Sequence, residues 1–338
     1  MPETIVVLSV DTEEDNWEPA REGVAVENIR ELPRLQAYCD GLGVPVTYCT
    51  TYQVATVPWA AGVLRDLHTS GRAEVAAHLH PWNTPPADEP LVPRNTMTWN
   101  LPMDLQGAKI ASLTRSIEEG IGVRPTSFRT GRFGLGRETT QVLIEQGYRV
   151  DSSVTPWWSW ASTDEGPDFV GAPLSAYTLD GTTDPRTPVP GGPLLEIPLS
   201  SGYSRWPFPA WHGVYQALRR PWARPLRLAG LAVRLGVLRA LTIDPEVSSV
   251  RDMLRLAERL TAHDVGHLSC FFHSPTLCPG LSQYARTTAD VELLYRKIAE
   301  FVDGIGRITT PVFLTLDEAA RRLTPRAVTE VGPGERDR

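Results

Sequence analysis

Short β-branched runs alternate with helical spacings along this chain, and the runs end on ionisable residues. No other feature constrains its fold as strongly. Residues 4–10 (TIVVLSV), 44–50, 73–79, 126–130 and 148–154 read as buried strands. Between them, residues 27–39, 57–67, 105–119 and 138–146 carry apolar side chains at helical intervals, with Gly71 and Gly147 as stop signals. The pattern returns late, with strands over 267–272 and 312–316, a helix over 289–302 and a short helix from Asp317. Such alternation predicts an α/β fold with a parallel sheet. Right-handed crossovers would bring the C-terminal ends of all its strands to one face, where α/β barrels build their sites.

The middle of the chain breaks the rhythm. Residues 156–192, rich in Pro, Gly, Asp, Thr and Trp, read as an irregular excursion with a short strand over 176–179. A strand over 194–199 follows, then an Arg- and Leu-rich helical stretch over 209–241 interrupted at Pro221 and Pro225, then an amphipathic helix over 248–262. The expectation is one domain over 1–323, with an irregular and helical insertion over about 156–262. The polar, Gly- and Pro-containing tail over 324–338 reads as disordered.

Composition narrows the function. With 338 residues, 41% of them hydrophobic, the chain can bury a sizeable core, and its net charge of −7 leaves no basic footprint for nucleic acid. Lys109 and Lys297 are its only lysines and sit in no motif, which argues against Schiff-base chemistry; a phosphate-binding GxxxxGK[ST] loop is missing. The four cysteines form no CxxC pair and the N-terminus lacks a signal-peptide pattern, so the chain reads as cytoplasmic with reduced thiols. No apolar run has membrane-spanning length. The stretch over 219–239 reads as a solvated helical face, with peripheral membrane contact as the alternative.

The chemistry lies at the strand ends. His78 and His80, two residues apart in a strand, point to one side. With a carboxylate from the first strand they would form a three-ligand site with an open position, the arrangement of catalytic zinc or a similar divalent ion. The plainer reading is a pair of hydrogen-bonded histidines. Asp11 and Glu13 share a face if the first strand continues that far, so one could ligate while the other stays free as a base; the plainer reading is a solvated acidic turn. His273 closes an apolar strand, and beside Asp151 its pKa would rise enough for it to protonate a leaving amine. Trp157, Trp158 and Trp160 form either a sugar-stacking wall or a packed cluster, with Trp82 and Trp99 expected on the same cleft. Nothing argues for Cys278 as a nucleophile.

Five segments together resemble the motifs of the NodB-homology polysaccharide deacetylases, carbohydrate esterase family four. They are SVDTEED (9–15), EVAAHLHPW (74–82), SFRTGRFG (127–134), VDSSV (150–154) and FFHSPTLCPG (271–280). The resemblance implies a deformed (β/α)7 barrel and a metal-dependent hydrolase that removes an N-acetyl or other N-acyl group from an amino sugar, a glycan containing one, or a precursor. It implies Asp11 as base, Glu13, His78 and His80 as ligands of a divalent metal, Arg129 as the partner orienting Asp11, Asp151 as the residue tuning His273, and His273 as acid. The backbone near Arg132 would hold the oxyanion, and Trp82, Trp157 and Trp158 would contact substrate. Zinc is the expected ion, with cobalt, nickel or manganese as alternatives.

The sequence departs from the family pattern in three places. Thr12 stands where the family has its metal-binding aspartate, so Glu13 or Glu14 must serve. One residue separates the two histidines where the family has three. Gly131-Arg132 replaces Pro-Tyr. These changes mark a divergent branch. They keep open hydrolysis of another non-peptide C–N bond, such as a ureide, or a carbohydrate-binding pseudoenzyme.

Overall fold

A computed structural model of the chain describes residues 3–15, 18–219 and 238–323. The expected disordered tail and most of the Arg-rich stretch lie outside them. Seven parallel strands run in the order β10 (His267–His273), β1 (Glu3–Thr12), β2 (Val46–Thr50), β3 (Ala73–Leu79), β4 (Ser127–Thr130), β5 (Val150–Asp151) and β7 (Leu194–Glu196). β6 (Tyr177–Leu179) joins β7 antiparallel, and β11 (Thr310–Phe313) pairs with the start of β1. The sheet curls into a deformed (β/α) barrel. Its ladder fails between β7 and β10, where Ile243 bridges the gap: its N–H donates to the Ser200 carbonyl and its carbonyl accepts from Phe271 N–H.

Strand alternation sorts the side chains. Val6, Leu8 and Val10 point outward into the main core under the helices. Ile5 and Val7 point inward with Cys49 and Ala76, and α9 (Leu316–Leu323) plugs that end of the barrel with the fully buried Leu316. Burying a leucine contributes about 1.5–3 kcal/mol, so the plug is a substantial element of the barrel floor. Further along the inward rows the residues become polar: Ser9, Asp11 and Glu13 from β1 and its extension, Arg129 from β4, His273 from β10.

Several boundaries differ from expectation. Pro33 divides the first helix into a 3-10 turn (Glu27–Glu31) and α1 (Leu32–Gly41). The stretch over 156–262 is not a single insertion, because β7 within it is a barrel strand. The helical reading through 241 also fails at its end: helix α6 (Phe208–Arg219) forms, but Ala240–Thr242 is strand β9, antiparallel to β8 (Ser201–Tyr203). Among the described residues, no helix is long and apolar enough to cross a membrane.

Candidate active site

Asp11 and His273 are register partners in the β1–β10 ladder, as are His78 and Arg129 in the β3–β4 ladder. These pairings bring acid, imidazole and guanidinium groups to one rim. Arg129, fully buried, donates to Asp11 Oδ1 at 2.6 Å, to Ser9 Oγ at 2.9 Å and to the Ser152 carbonyl at 2.8 Å. Asp11 Oδ2 lies 4.0 Å from His78 Nε2 and 3.9 Å from His273 Nε2. Burial alone would raise the Asp11 pKa, but Arg129, His78 and His273 outweigh it and hold the group at about 2, a carboxylate.

Glu13, His78 and His80 form a buried cluster that can hold a metal ion. His78 Nδ1 must carry a proton, since it donates to the Arg129 carbonyl at 3.2 Å. His80 Nδ1 is 2.7 Å from Glu14 Oε1, which also accepts from Asn83. With both Nδ1 atoms engaged, the two Nε2 atoms face each other 3.1 Å apart, and Glu13 Oε2 lies 3.1 Å from one and 3.8 Å from the other. Opposed lone pairs at that distance repel unless a cation or a proton lies between them. Metal–ligand bonds of about 2.0–2.1 Å in a tetrahedron separate donors by roughly 3.3 Å, close to these spacings, so the donor set fits a divalent cation. The alternation that turns Glu13 inward leaves Glu14 to fix the tautomer of His80, a role carboxylates commonly play behind ligating histidines. Without a cation, burial disfavours a charged His80, yet Glu14 and Glu13 together push it up to about 10. Gly131 is required beside it: a Cβ there would meet His80 Cδ2 at 2.6 Å and the Leu79 carbonyl at 2.7 Å.

The expected pairing of Asp151 with His273 is not what the structure contains. Glu246 Oε2 is 2.7 Å from His273 Nδ1, and Glu246 Oε1 accepts from His273 N–H and Thr276 Oγ. Burial alone would lower the His273 pKa; Glu246, then Glu13 and Asp11, push it well above the usual histidine range. Asp151 instead accepts from Ser153 Oγ and N–H and adjoins Glu196, beneath Arg129. Burial, then the Asp151 charge, raises Glu196 well above the usual carboxylate range. Sequence reading missed Glu246, although it follows a strand end, because β9 has only three residues.

These groups open into a cavity of about 360 Å³ walled by Trp82, Met97, Arg132, Phe133 and Trp160. Trp82 stacks on His80 at 4.2 Å. Arg132 adopts a left-handed backbone (φ 53°), pairs with Asp164 and donates to Thr96 Oγ1 at 2.9 Å. The other tryptophans separate. Trp157, expected at the substrate, is turned away by its own left-handed backbone (φ 66°) and packs on Phe208 and His212. Trp158 lines an adjoining cavity, and Trp99 lines a different pocket beside Arg137. Burial pushes the Cys278 thiol up to about 11, so it is no thiolate nucleophile.

Both lysines brace loops of this site. Lys109, on α4 (Met103–Ile121), donates to the carbonyls of Pro81, Thr84 and Pro86 at 2.8, 2.7 and 2.5 Å and pairs with Glu89 at 3.1 Å. It thereby ties down the loop that follows His80. Lys297 donates to the Pro245 carbonyl at 2.7 Å, next to Glu246.

No protein-family model matches the chain, and no curated protein matches it in sequence. Solved structures share its fold. A putative polysaccharide deacetylase from Mycobacterium smegmatis superposes with a TM-score of 0.53 at 17% identity, over 96% of this chain and 93% of that one. An allantoinase superposes with a TM-score of 0.51 at 12% identity, over 95% and 89%. A 4-alpha-glucanotransferase from Thermococcus litoralis superposes with a TM-score of 0.52 at 13% identity, over 96% of this chain and 41% of that one. The fold is the one implied by the five motifs, in a chain of low identity to its structural neighbours.

Proposed function

We propose that this protein is a metal-dependent hydrolase that removes an N-acetyl or other N-acyl group from an amino sugar, an aminosugar-containing glycan or a precursor of one. The observation that carries this reading is the facing pair of His78 and His80 Nε2 atoms, completed by Glu13 and flanked by Asp11 and His273. Glu13, His78 and His80 would hold the cation, zinc in the first place. When bound, it supplies Lewis-acid polarisation of the acyl oxygen and lowers the pKa of water towards about 7.

The protein's own residues do the rest. Asp11, kept ionised and oriented by Arg129, accepts the proton of the attacking water. The Arg132 N–H donates to the oxygen that gains charge. His273, held as an imidazolium by Glu246, protonates the departing nitrogen and makes the amine a competent leaving group. Trp82 flanks the sugar. The chain would act on a cytoplasmic pool of substrate.

Release of carboxylate from N-acetylglucosamine derivatives by zinc-loaded protein, abolished in Asp11→Asn with zinc content intact, is the expected result; full turnover by that variant refutes the assignment. The allantoinase of like fold supports a second reading, hydrolysis of a small cyclic amide. Turnover of allantoin with none of any N-acyl sugar would select it.

A further inference from the structure

Of the groups assigned to the reaction, His273 borders two cavities of different chemistry, while Asp11, Glu13, His78 and His80 line the larger one alone. Phe133, Trp160 and His273 are common to both. The second cavity, about 220 Å³, is otherwise walled by Trp158, Phe271, Val247 and Tyr284, with Thr155, Ser201, Thr242 and Asp244 around it. Its aromatic rings are mutually packed: Phe133 stacks on Trp160 at 5.0 Å, Trp158 on Trp160 at 5.9 Å, and Phe271 meets Phe133 edge-on at 5.8 Å.

Three of the polar side chains at this second cavity are already engaged with the protein. Thr155 Oγ1 accepts from Trp160 Nε1 at 2.9 Å, Ser201 Oγ donates to the Pro156 carbonyl at 2.6 Å, and Asp244 Oδ1 accepts from Glu246 N–H at 2.7 Å. Burial, then the nearby Glu246, pushes Asp244 up to about 8, so it adds little charge at neutral pH. A hydroxyl-rich ring entering here would lose water and gain few hydrogen bonds. The larger cavity carries Thr163 and the Arg132–Asp164 ion pair; that pair engages one guanidinium nitrogen, Nη1, and the remaining N–H groups of Arg132 offer such a ring polar partners. An amide substrate has one polar end, the amino sugar, and one apolar end, the acyl chain. The two cavities match the two ends.

We propose that the aromatic cavity is an acyl-chain subsite and that the preferred substrate carries an N-acyl group of about four to six carbons. At roughly 30 Å³ per methylene, about the share of one water in the liquid, the cavity has room for on the order of six carbons beyond the carbonyl. An acetyl methyl would leave most of it unfilled. This inference rests on the hydrolase reading above and names its substrate class.

The test compares N-acetyl-, N-butanoyl-, N-hexanoyl- and N-decanoyl-glucosamine with the zinc-loaded full chain, following amine release. kcat/KM is expected to rise at least tenfold from acetyl to hexanoyl, since each buried methylene discriminates severalfold or more. Val247→Trp, at a position 54% exposed and so tolerant of substitution, should fill the cavity and lower the hexanoyl-to-acetyl ratio at least tenfold. A readout independent of turnover is quenching of tryptophan fluorescence by hexanoate, acetate and glucosamine. Hexanoate should bind at least tenfold more tightly than acetate, and Val247→Trp should remove the difference. Acetyl turnover with no gain on lengthening the chain overturns the subsite and leaves the hydrolase reading standing. Selective hexanoate binding with no amide hydrolysed leaves the subsite and overturns the hydrolase. Glucosamine displacing hexanoate in competition assigns the aromatic cavity to the sugar and overturns the subsite.

Discussion

Replacing Glu246 by glutamine removes the charge beside His273 while keeping an oxygen within hydrogen-bonding reach of Nδ1. The carboxylate oxygen lies 2.7 Å from that nitrogen, which puts the two charge centres roughly 4 Å apart. At an effective dielectric constant near 20, unit charges at that separation interact by about 4 kcal/mol. That is a ceiling of about three pKa units, because the glutamine dipole recovers part of it and opposite charges at this range shift a pKa by about 1–3 units. His273 in the parent is raised, so its imidazolium form is present below that raised pKa and lost as the pH climbs through it. In Glu246→Gln the loss occurs earlier. The basic limb of the kcat/KM profile is therefore expected to move about two units towards acid, with zinc affinity changed less than threefold. The same displacement should appear in the His273 imidazole resonances followed by NMR. Asp151→Asn is expected to leave the limb in place. A limb that stays put in Glu246→Gln, or moves in Asp151→Asn, refutes the assignment of Glu246 as the partner of the acid.

Three further outcomes follow from the geometry. Asp11 is held at about 2 against an ordinary 3.8; this depressed carboxylate contributes about 2 kcal/mol of stability, present above its unfolded value and lost as pH falls through about 2, so Asp11→Asn should flatten the dependence of melting temperature on pH between 4 and 2. His78→Ala removes one of the three proposed ligands and should abolish stoichiometric zinc retention on gel filtration, whereas Glu14→Gln, which reaches the cluster through His80 Nδ1, should weaken zinc in chelator competition by about 10–100-fold. Lys109→Met frees three carbonyls and leaves Glu89 paired with Arg21 alone; zinc affinity is expected to fall about tenfold in the same competition assay, and unchanged affinity would mean that the loop holds His80 without it.

Much of the site was legible because strands obey a strict period of two. Asp11 and Glu13 share a face, His78 and His80 share another, and the convergence of strand ends on one rim follows from parallel topology. The same alternation assigns Glu14 to the tautomer of His80, an outcome open until the backbone past Thr12 was known. Where periodicity ends, so did the reading. Trp157 and Trp158 are neighbours in an irregular stretch, and one left-handed residue sends them to different places. Glu246 stands after a three-residue strand in an Asp-Pro-Glu segment that reads as an ordinary turn, next to an Arg- and Leu-rich stretch that drew attention as helix. Asp151 has the motif position expected of the partner to the acid, yet only tertiary packing reveals that Glu196 and Ser153 occupy it. The lysines carried no motif, and their importance lies entirely in the carbonyls they reach.

Direct opposition of Asp11 and His273 in one hydrogen-bonded ladder has a practical consequence. Their backbone separation is set by the spacing of adjacent strands, about 4.8 Å, and owes nothing to the surrounding loops. Loops that wall the two cavities, apart from the one carrying Glu246, could therefore be shortened, rebuilt or exchanged to admit a different sugar or acyl group, while the proposed donor and acceptor of the proton stay at a fixed distance. Under the proposed roles, the barrel would serve as a chassis on which selectivity is interchangeable and the proton donor and acceptor are fixed.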